Sequence, residues 1–128
     1  MDLNLIIVAL YSYFLGSIPF GLLLTKIFLQ KDIRKVGSGN IGTTNVLRTG
    51  NKSLAAVTLA LDLLKGYVSV YITLSYYESF VSYSALLCFV GHIFPIWLKF
   101  KGGKGVATYI GFLFSINPYI GLLFLILW

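Results

Sequence analysis

Long apolar stretches alternate with short polar segments along the chain. The stretches are Leu3–Leu29, Leu54–Tyr77, Phe80–Leu98 and Val106–Trp128. A hydrocarbon core of about 30 Å needs about 20 helical residues, so each of the first three predicts one membrane-crossing helix. The fourth contains Asn117 followed by Pro118. It predicts either one kinked span, or a short fourth helix, a turn and the start of a fifth.

Composition supports a lipid environment. The mean hydropathy is +0.88, and hydrophobic residues make up 58% of the chain. Charged residues make up only 11%, against about 25% in soluble domains. We therefore predict an all-α, polytopic integral membrane protein with about four to five transmembrane helices in one domain, residues 1–128. We expect that the first stretch is not a cleaved signal peptide, since it begins Met-Asp and its apolar run is too long.

Basic residues predict the orientation of these helices. Eight of the ten lysines and arginines lie in two segments, Gln30–Lys52 and Lys99–Gly105. The positive-inside rule places both segments in the cytoplasm, and it places the N-terminus and the turn near Glu78 outside. Both basic segments are therefore expected on one face of the membrane.

The same two segments are rich in glycine. They read DIRKVGSGNIGTTNVLRTG (32–50) and KFKGGKG (99–105). Glycines let backbone N–H groups approach an anion, and the bases supply positive charge, so the pattern predicts one anion site at the membrane surface. Gly37, Gly39 and Gly42 also match GxGxxG, with Asp62 near the spacing of a ribose-binding acid. A membrane helix precedes them instead of a strand, which argues against a dinucleotide fold.

Four motifs occur in a family-like order: GSIPFG (16–21), the first glycine-rich segment, DLLKG (62–66) and GHIFPIWLKFKGGKGVAT (91–108). Together they resemble the bacterial acyl-phosphate:glycerol-3-phosphate acyltransferase (PlsY) family. The resemblance implies a multi-pass enzyme of the bacterial inner membrane whose active face is cytoplasmic. Such an enzyme moves a fatty acyl group from acyl phosphate to the 1-hydroxyl of sn-glycerol 3-phosphate. The products are lysophosphatidic acid, used in phospholipid synthesis, and phosphate.

The resemblance also predicts partners and the extent of the chain. Membrane lipid and the two substrates are the expected partners, with no cofactor and no nucleic acid. Family members carry a third, C-terminal motif with functional Asn and His residues. We expect this chain to be truncated before that motif.

Candidate site residues in the first segment are hydrogen-bond donors for phosphate or for a developing oxyanion. The resemblance implies that Ser38 and Arg48 are functionally important, so we take them as catalytic. An alternative for Ser38 and Asn40 is helix capping. The substrate-binding candidates are Gly37, Gly39, Asn40, Thr43 and Asn45.

The second segment immediately precedes an apolar stretch. Amides at a helix N-terminus bind anions, and a lysine pairs with phosphate as a point charge. The resemblance links the glycines here to glycerol 3-phosphate. We interpret Lys99 as a membrane-interface anchor, and we favour the same interpretation for Lys101. The substrate-binding candidates are Gly102, Gly103, Lys104 and Gly105.

Three polar side chains lie within the predicted spans. His92 is the only histidine. It is a catalytic candidate that could assist deprotonation or bind phosphate, although a packed, hydrogen-bonded histidine is the competing interpretation. Asp62 and Lys65 share one helical face and predict a structural ion pair that orients the basic segments. The single cysteine, Cys88, excludes a CxxC-type metal cluster, and we expect no metal.

Two other classes of protein are compatible with the sequence. A small transporter or channel subunit also places charges and prolines in its spans, although the one-sided motifs argue against it. A non-catalytic remnant of the acyltransferase would keep the motifs without turnover. Gly16, Pro19 and Gly21 predict a bend and close helix packing in the first span. The sequence does not determine the oligomeric state or the acyl-chain preference.

Overall fold

Helices account for all the regular secondary structure in the computed structural model, which describes residues 2–128. The α-helices are α1 (Leu3–Gly16), α2 (Phe20–Leu29), α3 (Thr43–Leu47), α4 (Lys52–Tyr76), α5 (Val81–Ile93), α6 (Val106–Ile116) and α7 (Pro118–Leu127). The central helix is α4, which packs against α1, α2, α3, α5 and α6. No strand occurs among these residues, and the predicted all-α class is confirmed.

Three segments are long and apolar enough to cross a membrane. They are Leu3–Leu29, Lys52–Tyr76 and Glu78–Leu98. Each leaves large apolar side chains exposed, for example Ile7 and Leu86. Water-soluble proteins rarely expose so much apolar surface, which suits contact with lipid. The three spans therefore agree with those predicted from hydropathy.

The first span is broken between α1 and α2. The break falls at Ser17, Ile18 and Pro19, and proline has no backbone N–H to continue the helix. Two side chains from other parts of the chain bond the freed carbonyls. Lys65 Nζ donates to the Ile18 carbonyl oxygen at 2.8 Å, and Trp97 Nε1 donates to that of Ser17 at 2.7 Å. The predicted bend is confirmed, and tertiary contacts hold it in place.

Glycines bring the helices close together. At the crossing of α1 and α5, a methyl group on Gly16 or on Gly91 would overlap a backbone carbonyl oxygen of the other helix. Gly66 and Gly111 have the same reciprocal relation where α4 crosses α6. Small residues allow such close approach in membrane bundles, where apolar burial gives little drive for association. These two crossings fix the positions of α5 and α6 relative to the rest of the bundle.

The fourth apolar stretch folds back on itself. The ring centroids of Tyr109 in α6 and Phe124 in α7 lie 5.0 Å apart. In a straight helix, 15 residues would separate them by about 22 Å. The turn is at Asn117, whose backbone is extended and whose Oδ1 accepts from the Tyr119 N–H at 2.9 Å. Of the two alternatives predicted for this stretch, the structure adopts two short helices.

Candidate active site

One cavity of about 420 Å³ lies where the first glycine-rich segment meets the start of α6. Its polar wall combines the first segment with side chains of α4, α5 and the second segment, and its apolar wall comes from α4 and α6. The lining residues are Ser38, Asn40, Gly42, Thr43, Thr44, Asn45, Arg48, Leu59, Asp62, His92, Lys104, Gly105, Val106, Ala107 and Ile110. The two segments that the sequence separates by about 50 residues therefore share one cavity.

Asn45 organises the first segment into a fixed loop. Its Nδ2 donates to the carbonyl oxygens of Ile33, Val36 and Asn40 at 3.1, 2.8 and 2.8 Å. Its Oδ1 accepts from the Ser38 N–H at 3.2 Å. The residue is only 1% exposed. Asn45 also lines the cavity. Its side-chain amide is already hydrogen-bonded within the loop, and the substrate contact predicted for it from the sequence stays a prediction.

Gly37 and Gly39 shape the same loop. Their φ angles of 51° and 74° lie in the left-handed region, which residues with a Cβ rarely adopt. A Cβ on Gly37 would also overlap Asn45 Oδ1. Neither glycine lines the cavity. Both were predicted to bind substrate. In this structure they shape the loop whose other residues line the cavity, and a direct substrate contact stays a prediction.

The hydroxyl groups of Ser38 and Thr43 remain available as donors. Ser38 Oγ accepts from the Asn40 N–H at 3.3 Å, and Asn40 Oδ1 accepts from the Gly42 N–H at 2.8 Å. Thr43 Oγ1 is buried and has no hydrogen-bond partner within residues 2–128. The N-cap of α3 is Gly42, with no side-chain cap, so Ser38 and Asn40 form turns of the loop instead of capping this helix.

The two arginines of the loop differ in their partners. Arg34 forms a bidentate pair with Asp32, with Nε to Oδ1 at 2.9 Å and Nη2 to Oδ2 at 2.7 Å. The guanidinium holds the pKa of Asp32 well below its usual range, and the carboxylate raises the pKa of Arg34. Arg48 is exposed, lines the cavity and has no ion pair within the described residues. Arg48 is therefore the guanidinium available to an anion.

The second segment divides into two parts with different contacts. Gly102 and Gly103 donate their N–H groups to the carbonyl oxygens of Ile93 and His92, at 2.8 and 3.1 Å. These amides are therefore occupied at the end of α5, and neither glycine lines the cavity. Both glycines were predicted to contact substrate through their amides. In this structure neither amide is free to do so.

The second part of that segment does face the cavity. Lys104 and Gly105 line it, and Gly105 is the N-cap of α6, which has no side-chain cap. The first amides of an α-helix have no intrahelical acceptor. Val106 and Ala107, the first two residues of α6, line the cavity. Lys99 is exposed away from the cavity, as expected of an interface anchor.

Asp62 is a cavity residue that sequence reasoning treated as structural only. Its Oδ1 lies 2.8 Å from Lys65 Nζ and 3.9 Å from His92 Nδ1. His92 Nδ1 in turn lies 3.2 Å from Thr108 Oγ1 of α6. The predicted pair between Asp62 and Lys65 is confirmed. Lys65 Nζ also donates to the Ile18 carbonyl oxygen at the break in the first span. The signal in the sequence was the isolated charge in an apolar span.

Relatives of known class match nearly the whole chain. The family model described as glycerol-3-phosphate acyltransferase matches residues 6–128. A glycerol-3-phosphate acyltransferase of Pelagibacter ubique is 62% identical over 96% of this chain and 64% of its own length. One from Mesorhizobium japonicum is 53% identical over 100% of this chain and 66% of its own length. The chain thus spans about two thirds of the length of these relatives.

Solved structures with the same fold are also similar. A crystal structure of PlsY (YgiH), an integral membrane glycerol 3-phosphate acyltransferase, in its glycerol 3-phosphate form has a TM-score of 0.89 and 36% identity. It matches 95% of this chain and 62% of that chain. The lysophosphatidic acid form has a TM-score of 0.85 and 35% identity. On this sequence and structural similarity, the chain belongs to the glycerol-3-phosphate acyltransferase family.

Proposed function

We propose that the chain carries the substrate-binding cavity of an acyltransferase. The enzyme would move a fatty acyl group from acyl phosphate to the 1-hydroxyl of sn-glycerol 3-phosphate. The observation that carries the proposal is the composition of the cavity. Arg48 and Lys104 supply positive charge, while Leu59 and Ile110 supply an apolar wall. Such a cavity suits a phosphate joined to a hydrocarbon tail.

The cationic groups suit two phosphate-bearing substrates. Arg48 presents a planar fork that binds two phosphate oxygens at once. Lys104 contributes a point charge, and the free amides at the start of α6 add the positive end of the helix dipole. These groups come from two separate segments of the chain and line one cavity. Two phosphates bound there would bring an acyl donor and a hydroxyl acceptor together.

The chemistry requires positioning more than a strong base. The glycerol hydroxyl oxygen attacks the carbonyl carbon of acyl phosphate, and the bond from that carbon to the phosphate oxygen breaks. The hydroxyl proton leaves with a phosphate oxygen, so the products are lysophosphatidic acid and inorganic phosphate. Ser38 and Thr43 offer hydroxyl donors to the oxyanion that develops on the carbonyl oxygen between attack and loss of phosphate. His92 and Asp62, which lie side by side, also line the cavity.

The proposed location is the cytoplasmic face of a bacterial inner membrane. The lysines and arginines concentrate in the two segments that meet at the cavity, as the positive-inside rule requires of cytoplasmic loops. An apolar wall near a membrane surface would let an acyl tail remain among the helices.

The test is acyl transfer in lipid nanodiscs. The chain is assayed alone and as a chimera that continues after Trp128 with the part of the Pelagibacter relative beyond its aligned segment. Synthetic acyl phosphate and glycerol 3-phosphate are supplied, and lysophosphatidic acid and phosphate are measured. We expect equimolar products, and kcat/KM lower by roughly 5- to 150-fold in Arg48→Lys. Lys99→Ala, which changes an exposed base outside the cavity, is the matched control.

Three results decide the proposal. Equimolar products from either preparation support it, provided that Lys99→Ala leaves kcat/KM unchanged. Absence of lysophosphatidic acid from both preparations, with the protein correctly inserted, would refute it. Full activity of Arg48→Lys would remove that residue from the site, and the phosphate would then be assigned to Lys104 and the α6 amides.

A further inference from the structure

The Gly102-Gly103 turn packs directly against the end of α5. Its two N–H groups donate to the last carbonyls of that helix, those of His92 and Ile93. The last carbonyl oxygens of an α-helix have no intrahelical N–H donor, so they need a donor from elsewhere. A Cβ on Gly102 would overlap these same carbonyl oxygens and would lie 2.6 Å from Pro95 Cδ. The turn is thus a cap on α5.

The imidazole of His92 fills the space beside Gly103. A Cβ built on Gly103 would overlap the ring at Nε2 and would lie 3.0 Å from Cε1 and 3.1 Å from Cδ2. No other group is that close to the Cβ position. Gly103 is buried, and His92 is only 5% exposed, so the ring has little room to move aside. The absence of a side chain at Gly103 therefore leaves room for the ring.

The opposite edge of the same ring faces two other helices. His92 Nδ1 lies 3.2 Å from Thr108 Oγ1 in α6 and 3.9 Å from Asp62 Oδ1 in α4. Thr108 is fully buried, and Asp62 lines the cavity. The ring is therefore held between the glycine turn on one edge and α4 and α6 on the other.

We propose that Gly103 is a positioning residue that acts through His92. The glycine leaves room for the imidazole, and the seated ring fixes the turn from which Lys104 and the first amides of α6 enter the cavity. This inference rests on the proposed function for its ligand, glycerol 3-phosphate. It differs from the sequence prediction, in which an anion contacts the backbone of Gly103 itself. The two explanations give different results when His92 is shortened.

The first experiment observes the ring without any substrate. The chain has one histidine, so ¹⁵N-histidine labelling, with a purification tag free of histidine, gives the signals of one imidazole. We expect Gly103→Ala to shift or broaden the His92 Nε2 signal. Gly121→Ala is the matched control, because its methyl would press on the Phe114 ring in the α6–α7 hairpin, away from the cavity. It should leave the imidazole signals unchanged.

The second experiment is a double-mutant cycle on ligand affinity. The dissociation constant for glycerol 3-phosphate is measured on the chain in nanodiscs, with inorganic phosphate as a second probe. We expect Gly103→Ala to weaken binding by about 5- to 150-fold, the range expected of an overpacked contact. In a His92→Asn background the shorter amide keeps a partner for Thr108 and vacates the space beside Gly103. There, Gly103→Ala should cost less than about 2-fold.

The outcomes separate this proposal from the function on which it rests. An equal loss from Gly103→Ala in both backgrounds would overturn it in favour of direct anion contact. Unchanged imidazole signals in Gly103→Ala would also overturn it. If the unmodified chain binds neither probe, the proposed function is contradicted, and the histidine signals alone decide whether Gly103 seats the ring.

Discussion

Replacing Asn45 should loosen the loop that carries Ser38 and Arg48. The asparagine makes four hydrogen-bond contacts, to Ile33, Val36, Asn40 and Ser38. Its Nδ2 has only two hydrogens, so we count three full hydrogen bonds. At about 0.5–1.5 kcal/mol each, Asn45→Ala should destabilise the closed loop by about 2–4 kcal/mol. The carbonyl oxygens left behind are partly buried, which favours the upper half of that range.

Amide hydrogen exchange in nanodiscs measures this change directly. A loss of about 2–4 kcal/mol predicts that amides of the loop, including that of Ser38, exchange roughly 30- to 900-fold faster in Asn45→Ala. The matched control is Asn51→Ala, which removes one capping hydrogen bond of 2.8 Å to the Leu54 N–H. It should cost about 1 kcal/mol and act on the start of α4. Exchange of the loop at its original rate in Asn45→Ala would refute the assigned role.

Two further predictions concern the buried ion pair and the topology. Lys65→Met should lower stability by about 3–5 kcal/mol in a denaturant titration, because Asp62 is left as an unpaired buried charge. Adding Asp62→Asn should recover part of the loss, and no recovery would argue against the pair. With Cys88 replaced by Ala, single cysteines at Lys35 and Lys101 should react with an impermeant thiol reagent only after cells are opened. Labelling of either position in intact cells would contradict the cytoplasmic assignment.

Features that depend on local sequence were predicted correctly. Hydropathy gave the three long spans because a membrane helix needs a continuous apolar run, whatever its neighbours are. The helix break at Pro19 followed from the missing N–H of proline. The pair of Asp62 and Lys65 followed from helical spacing and the cost of isolated charges in lipid. The order of four short motifs was enough to indicate the family.

Features that depend on distant partners were decided only by the tertiary structure. Asn45 has the chemistry of a ligand donor, but its acceptors at Ile33 and Val36 are carbonyl groups that the sequence does not place beside it. Likewise, the space beside Gly103 is filled by His92, from the end of another helix. A side chain's partners depend on how helices cross and loops close. The sequence by itself therefore determined the spans and the candidate residues, while the fold decided which of them face the cavity.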